Sequence, residues 1–186
     1  MIFARHSDIV GQHAFLGASK WNWINYSEDK LKQAYLNNLA VQRGTELHEF
    51  ASDCIRLKQP LPKLKKTLNM YVNDAIKFSM NPEQPLFYSK NFYGTADAIA
   101  FDDDRQFLRI HDLKTGHIKA HIEQLEIYAA LFCLEYHHKP NDLAMELRIY
   151  QGDEIMMEIP DSEQIARIMK TAVIFDDVIE QMKMEE

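Results

Sequence analysis

In the run Phe107–Thr115 (FLRIHDLKT) a carboxylate and an ammonium, Asp112 and Lys114, stand two residues apart. Side chains alternate along an extended strand, so both project from the face that Leu108 and Ile110 share. Such a pair can hold a metal ion with one group and a water or phosphate oxygen with the other. Taken alone, it reads more simply as a strand end reaching solvent with an incidental charge pair. The preceding apolar run, Gly94–Thr95–Ala96–Asp97–Ala98–Ile99, carries a second acid among small and apolar neighbours. A lone carboxylate there needs a partner or a cation to offset its desolvation. The acidic turn Asp102–Asp103–Asp104–Arg105 lies between the two runs. A hairpin with some offset through that turn brings Asp97 near Asp112, and converging carboxylates form an oxygen-ligand site of the kind Mg²⁺ or Mn²⁺ prefers. Other constellations are weaker. His117 and His121 have the i, i+4 spacing of a helical zinc pair, but no third ligand presents itself and His117 falls in the Gly116 loop. The motifs G-x-G-x-x-G, G-x-x-x-x-G-K-[ST] and H-E-x-x-H are absent, so nucleotide-binding and zinc-protease readings lack their basic parts.

The elements that must position these groups are helical first. Ser27, followed by Glu28 and Asp29, starts a helix toward Val41, and Gly44–Leu57 starts a second with Thr45 as its cap. After Pro60–Pro62, the apolar residues Leu64, Leu68, Val72 and Ala75 or Ile76 recur at helical spacing up to about Met80. Three β-rich runs follow, Leu86–Lys90, Tyr93–Phe101 and Phe107–Leu113, and read as a meander. A helix is expected from about Lys119 to Tyr136. Two strands come next, Leu143–Tyr150 and Glu154–Ile159, joined by the hairpin turn Gln151–Gly152–Asp153. Pro160 and Asp161 open a final helix to about Met182. The plan is α/β, a mixed central sheet of about five strands flanked by helices. It forms one domain over 1–186, helical in 1–81, with the sheet core in 82–160 and the last helix in 161–183.

Gly44–Thr45–Glu46–Leu47–His48, Gly94–Thr95–Ala96–Asp97, Asp112–Leu113–Lys114, and Gln124 with Tyr128 together resemble the PD-(D/E)xK nuclease superfamily. Within it, the likeness is to the RecB-like and phage-exonuclease branch, and it covers about residues 43–160. It implies the restriction-endonuclease-like fold. It also implies Asp97 and Asp112 as metal ligands, the main-chain carbonyl of Leu113 as a further one, and His48 as the histidine completing the metal shell. Lys114 would position the attacking water and steady the phosphate charge. Gln124 and Tyr128, four apart on one helical face, would touch substrate phosphates or buttress Lys114. Glu83 matches the acid that some members place before the first strand, and Asn81–Pro82–Glu83 reads equally well as a solvated turn. Each element also has a plain reading: His48 as a helix histidine bonded to Glu49 or to the backbone, Gln124 and Tyr128 as the wetter edge of an amphipathic helix. The four cysteines of the cluster-bearing relatives are absent. The implied activity is Mg²⁺- or Mn²⁺-dependent hydrolysis of phosphodiester bonds, most simply as a DNA exonuclease of a phage or mobile element. The rival is a catalytically silent member of the same fold that binds nucleic acid or a protein partner. A retired site would have no physical reason to keep a buried acid pair, which favours the enzyme.

The 186 residues carry 21 basic and 28 acidic side chains, net −7, which rules out the wholly basic surface of a nucleic-acid-coating protein. A DNA site must therefore be local. Arg56, Lys58, Lys63, Lys65 and Lys66 fall in a stretch without an acid, and are expected to contact substrate phosphates beside the metal. A solvated helix face is the alternative. The segment from Asp161 to the end is acidic. Its residues Ile165, Ile168, Ala172, Phe175, Ile179 and Met182 form a heptad-like seam, suited to core packing or to pairing with a second copy or a partner protein. Two cysteines are too few for a disulfide framework, which fits a reducing cytoplasm. Arg5, His6 and Asp8 interrupt the apolar stretch that a signal peptide needs, and no run of about 18 apolar residues offers a membrane span.

Overall fold

The computed structural model describes residues 5–116 and 118–185. The chain divides into two compact units, Met1–Thr45 and Glu46–Glu186. The shorter contains the 3-10 helices Ser7–Ile9 and Ala18–Asn25 and the beginning of the long helix α1, Glu28–Arg56. Ser27 caps α1, its Oγ accepting from the Lys30 N–H at 3.3 Å. The spacing predicts two helices here, and the structure has one. Gly44 does not break it, because a single glycine costs a helix only about 1 kcal/mol. Thr45 is no cap either; its hydroxyl donates to the Val41 carbonyl one turn back, as in a helix interior.

The larger unit adds α2 (Thr67–Lys77), β1 (Asn81–Ser89), β2 (Phe92–Asp102), β3 (Phe107–Leu113), α3 (Glu123–Glu135), β4 (Ala144–Gln151), β5 (Glu154–Glu158) and α4 (Ser162–Glu185). The strands form one sheet in the order β1-β2-β3-β4-β5. Pairing is antiparallel except between β3 and β4, which run parallel on either side of the α3 crossover. This is the expected mixed five-stranded sheet flanked by helices. α3 and α4 cover one face, where Leu108, Ile110, Leu147 and Ile149 pack with Leu125, Ala129, Phe132 and Ile165. The end of α1 and all of α2 cover the other, where Ala51, Ile55, Tyr71 and Val72 meet Leu113 and Tyr150. Burial on both faces suits the apolar residues Phe107, Leu108, Ile110 and Leu113 of β3, whereas Arg109, His111 and Asp112 between them need partners inside the protein.

Several boundaries differ from expectation. β1 begins at Asn81 rather than Leu86, although Pro82 and Pro85 read as breakers. It is an edge strand, where a missing N–H can face solvent without loss. α3 begins at Glu123 rather than Lys119 because the Gln151 side chain pins the approach to it. Its amide donates to the Gly116 and Ile118 carbonyls at 2.8 and 2.7 Å, and its oxygen accepts from Ala120 N–H at 3.0 Å. The seam of α4 is split: Ile165 and Ile168 join the core, whereas Phe175, Ile179 and Met182 are exposed. Among the described residues, no helix is long and apolar enough to cross a membrane.

Candidate metal centre

The centre of the site is set by register. β1 and β2 pair at Pro82↔Ala98 and Gln84↔Ala96, so Glu83 and Asp97 stand opposite each other between those pairs. β2 and β3 pair up to Ala98↔His111, and one step further Asp97 meets the position of Asp112. The expected offset is absent. Asp97 thus has an acidic neighbour on each adjoining strand. Ala96 packs on the α3 side and Ala98 on the α2 side, so strict alternation fails at Asp97. Glu83 opposite takes a left-handed φ of 50°. It belongs to β1 and is half-buried, which corrects the reading of Asn81–Pro82–Glu83 as a solvated turn.

α1 brings His48 to the same place, with Nδ1 3.4 Å from Asp97 Oδ2. Ligand atoms of His48, Glu83 and Asp97 all lie within 4.8 Å of one another. Asp97 Oδ2 also accepts from the Leu113 N–H at 2.8 Å. Leu113 thus enters the site through its N–H. Lys114 Nζ lies 3.0 Å from each Asp112 oxygen, but its geometry makes a hydrogen bond only to Oδ1. Asp112 Oδ2 is left buried without a donor among the described residues. The Lys114 ammonium also donates to Gln124 Oε1 at 2.9 Å, and Gln124 Nε2 donates to the Tyr128 hydroxyl at 3.1 Å. Tyr128 lies against β2 at Gly94, where a Cβ would come 2.9 Å from the ring. The residue has to be glycine for the ring to lie there.

Burial, and then the charge of Asp112, push Asp97 up to about 6, against the pull of the Leu113 N–H, His48 and Lys114. Burial also raises Asp112, with Lys114 opposing. Three carboxylates against one ammonium and one imidazole, with a buried orphan oxygen, fit a hard divalent cation by donor type.

The basic run is brought only part of the way. Arg56, Lys58, Lys63, Lys65 and Lys66 are all exposed. Arg56 lies 3.9 Å from Asp53, and Lys66 Nζ bonds Asp153 Oδ2 in the β4–β5 turn at 2.7 Å. The next residue, Thr67, lines a cavity of about 250 Å³ together with Leu47, Lys114, Thr115 and Gly152. Thr67, one residue past the run, is the part that reaches the cavity beside Lys114. His117, the first member of the zinc-like pair, lies outside the described residues.

Sequence reasoning missed a second charged cluster. Arg109 on β3 donates to Glu146 on β4 at 2.6 Å, and Arg148 bonds both Glu146 and Asp74 at 3.1 Å. The Tyr150 hydroxyl donates to Asp74 at 2.8 Å and lies 3.3 Å from His111 Nδ1. Burial, with the charges of Arg148 and Arg109, holds His111 neutral at ordinary pH. Arg109 also stacks 3.7 Å above the Phe78 ring. The available signal was the alternation of charged with apolar residues along Ala144–Gln151, but it names no partner.

Comparison with models of known protein families gives no match, and comparison with curated proteins gives none.

Proposed function

We propose that the protein is a metal-dependent nuclease of the restriction-endonuclease-like fold, hydrolysing phosphodiester bonds of DNA, as an exonuclease in the simplest form. The observation carrying this reading is the convergence of Glu83, Asp97 and Asp112, from three adjacent strands, with His48 and Lys114. A Mg²⁺ or Mn²⁺ ion held by His48, Glu83, Asp97 and Asp112 would supply a polarised phosphoryl oxygen and a bound water of lowered pKa. The protein's own groups supply orientation. An ammonium has three N–H donors. Two of those on Lys114 are taken by Asp112 and Gln124, which leaves one for the attacking water or a phosphate oxygen. Tyr128 holds Gln124, and the glycine at position 94 lets Tyr128 lie there, so the direction of that third donor is fixed before substrate arrives. Thr67 and the basic residues before it would border the strand as it passes the cavity by Lys114. Cys54 and Cys133 are unpaired and buried, which supports a reducing, cytoplasmic setting for this activity.

The test is incubation of the purified chain with linear and circular, single- and double-stranded DNA in Mg²⁺, Mn²⁺ and chelator. Cleavage is expected with either ion and not with chelator. Asp112→Asn and Lys114→Ala should each lose about 100-fold or more while remaining folded. Either variant retaining a tenth of wild-type activity, or a wild type inert on every DNA form, removes the reading.

A further inference from the structure

The unit Met1–Thr45 contains a cleft that the metal centre does not use. It encloses about 540 Å³ between the segment around the 3-10 helix Ala18–Asn25 and the first half of α1. Its walls include four aromatic rings, Phe15, Trp23, Tyr26 and Tyr35, with Lys20, Asn38 and Gln42. Each wall is held locally. Trp23 Nε1 donates to the Gly17 carbonyl at 3.0 Å, which fixes the indole plane. Phe15 packs edge-on to Tyr35 with ring centroids 5.3 Å apart. Asn38 and Gln42 lie four residues apart on one face of α1. Elsewhere on that helix Gln33 and Asn37 bond each other at 3.0 Å, whereas no amide bond ties Asn38 or Gln42 among the described residues. None of the lining residues is acidic, in a chain whose net charge is −7.

The combination selects a ligand chemistry. Aromatic faces stack planar rings, free side-chain amides pair with the donor and acceptor edge of a base, and a lysine without a carboxylate beside it suits a phosphate. The volume falls in the range of small-molecule sites and exceeds what one base requires. We infer that this cleft is a subsite for an unpaired nucleotide, the base between the rings and its phosphate toward Lys20. The inference rests on the nuclease reading only for the identity of the polymer, since a single strand is what such an enzyme would engage or release.

The experiment uses the full chain carrying Trp21→Phe, which leaves Trp23 as its one tryptophan. Its fluorescence is titrated in chelator with an eight-residue single-stranded DNA and with an abasic oligonucleotide of the same length. Saturable quenching by the base-bearing strand is expected, with the abasic strand bound about tenfold or more weakly, because stacking is lost. Adding Tyr35→Ala should weaken the base-bearing strand by a similar factor. Tyr35 is half exposed, so the fold should tolerate the change. Equal binding of the two strands, quenching by a short neutral aromatic peptide as strong as that by DNA, or no quenching at all would each overturn the subsite. Base-dependent quenching by a protein that cleaves no DNA would leave the subsite standing and remove the nuclease. Cleavage without base-dependent quenching would do the reverse.

Discussion

Two charged clusters draw on neighbouring residues of β3, and they are built on opposite principles. Arg109 and His111 belong to a group in which two guanidinium groups meet two carboxylates, Glu146 and Asp74. There Glu146 is held below its ordinary pKa, the two arginines outweighing the burial that opposes them. Asp112, next along the strand, belongs to a group in which acids outnumber bases, and both Asp97 and Asp112 are held above the ordinary range. The first cluster supplies its own counterions. The second lacks one, and a fold that only needed to persist would be firmer without it. Carboxylates kept desolvated and adjacent are what a site does when a ligand is to provide the missing positive charge.

Breaking each cluster should therefore move stability in opposite directions. Glu146→Gln leaves Arg109 and Arg148 short of a counterion and should cost about 2–3 kcal/mol in chemical denaturation. Asp97→Asn removes a like charge and should raise stability in chelator by on the order of 1–2 kcal/mol. In millimolar Mg²⁺ the order should invert, the wild type gaining a thermal shift that Asp97→Asn lacks. Stabilisation by Glu146→Gln, or loss of stability by Asp97→Asn in chelator, would erase the distinction between the two clusters.

The same contrast has a pH form. Asp97 titrates near 6 when folded and at an ordinary carboxylate value when unfolded, so the native state binds more protons between those limits. By linkage, the metal-free protein should gain stability from this group as pH falls from about 7 toward 4. Glu146, shifted downward, behaves oppositely: its contribution is present above its ordinary pKa and is lost as pH falls below it. The stability gap between Asp97→Asn and wild type should accordingly narrow on acidification, measured as denaturation midpoints across that range. A gap constant from pH 7 to pH 4 would mean that Asp97 is not the strained acid.

The smallest expected effect lies at the surface. Lys63→Ala, Lys65→Ala and Lys66→Ala combined should flatten the dependence of log K for duplex DNA on log salt by about 0.9 for each phosphate the protein no longer neutralises. Lys66, already bound to Asp153, should contribute least of the three. An unchanged slope would make the strip a solvated surface.

How much of this could be read in the sequence depended on range. β3 was legible in its bounds, because Phe107, Leu108, Ile110 and Leu113 mark an extended run between the acidic turn and the Gly116 loop. Asp97 and Asp112 could be paired from the hairpin between them, which is local. The Lys114–Gln124 contact followed from the resemblance rather than from spacing. Glu83 was obscured by Pro82 and Pro85, whose meaning reverses once β1 is known to be an edge. Arg109 and Glu146 were not legible as a pair, since 37 residues separate them and only the parallel register of β3 and β4 brings them together.

Glu83 carries one more consequence. Its backbone lies in the left-handed region, at φ 50°, where glycine is at ease and a side chain with a Cβ is strained by about 1 kcal/mol. Selection for folding alone would drift this position toward glycine or asparagine and be rewarded for it. A lineage that kept the scaffold but abandoned the chemistry should show that drift first at 83, before any change reached the core. On the proposed reading, the residue there would gauge whether such a protein still holds its metal.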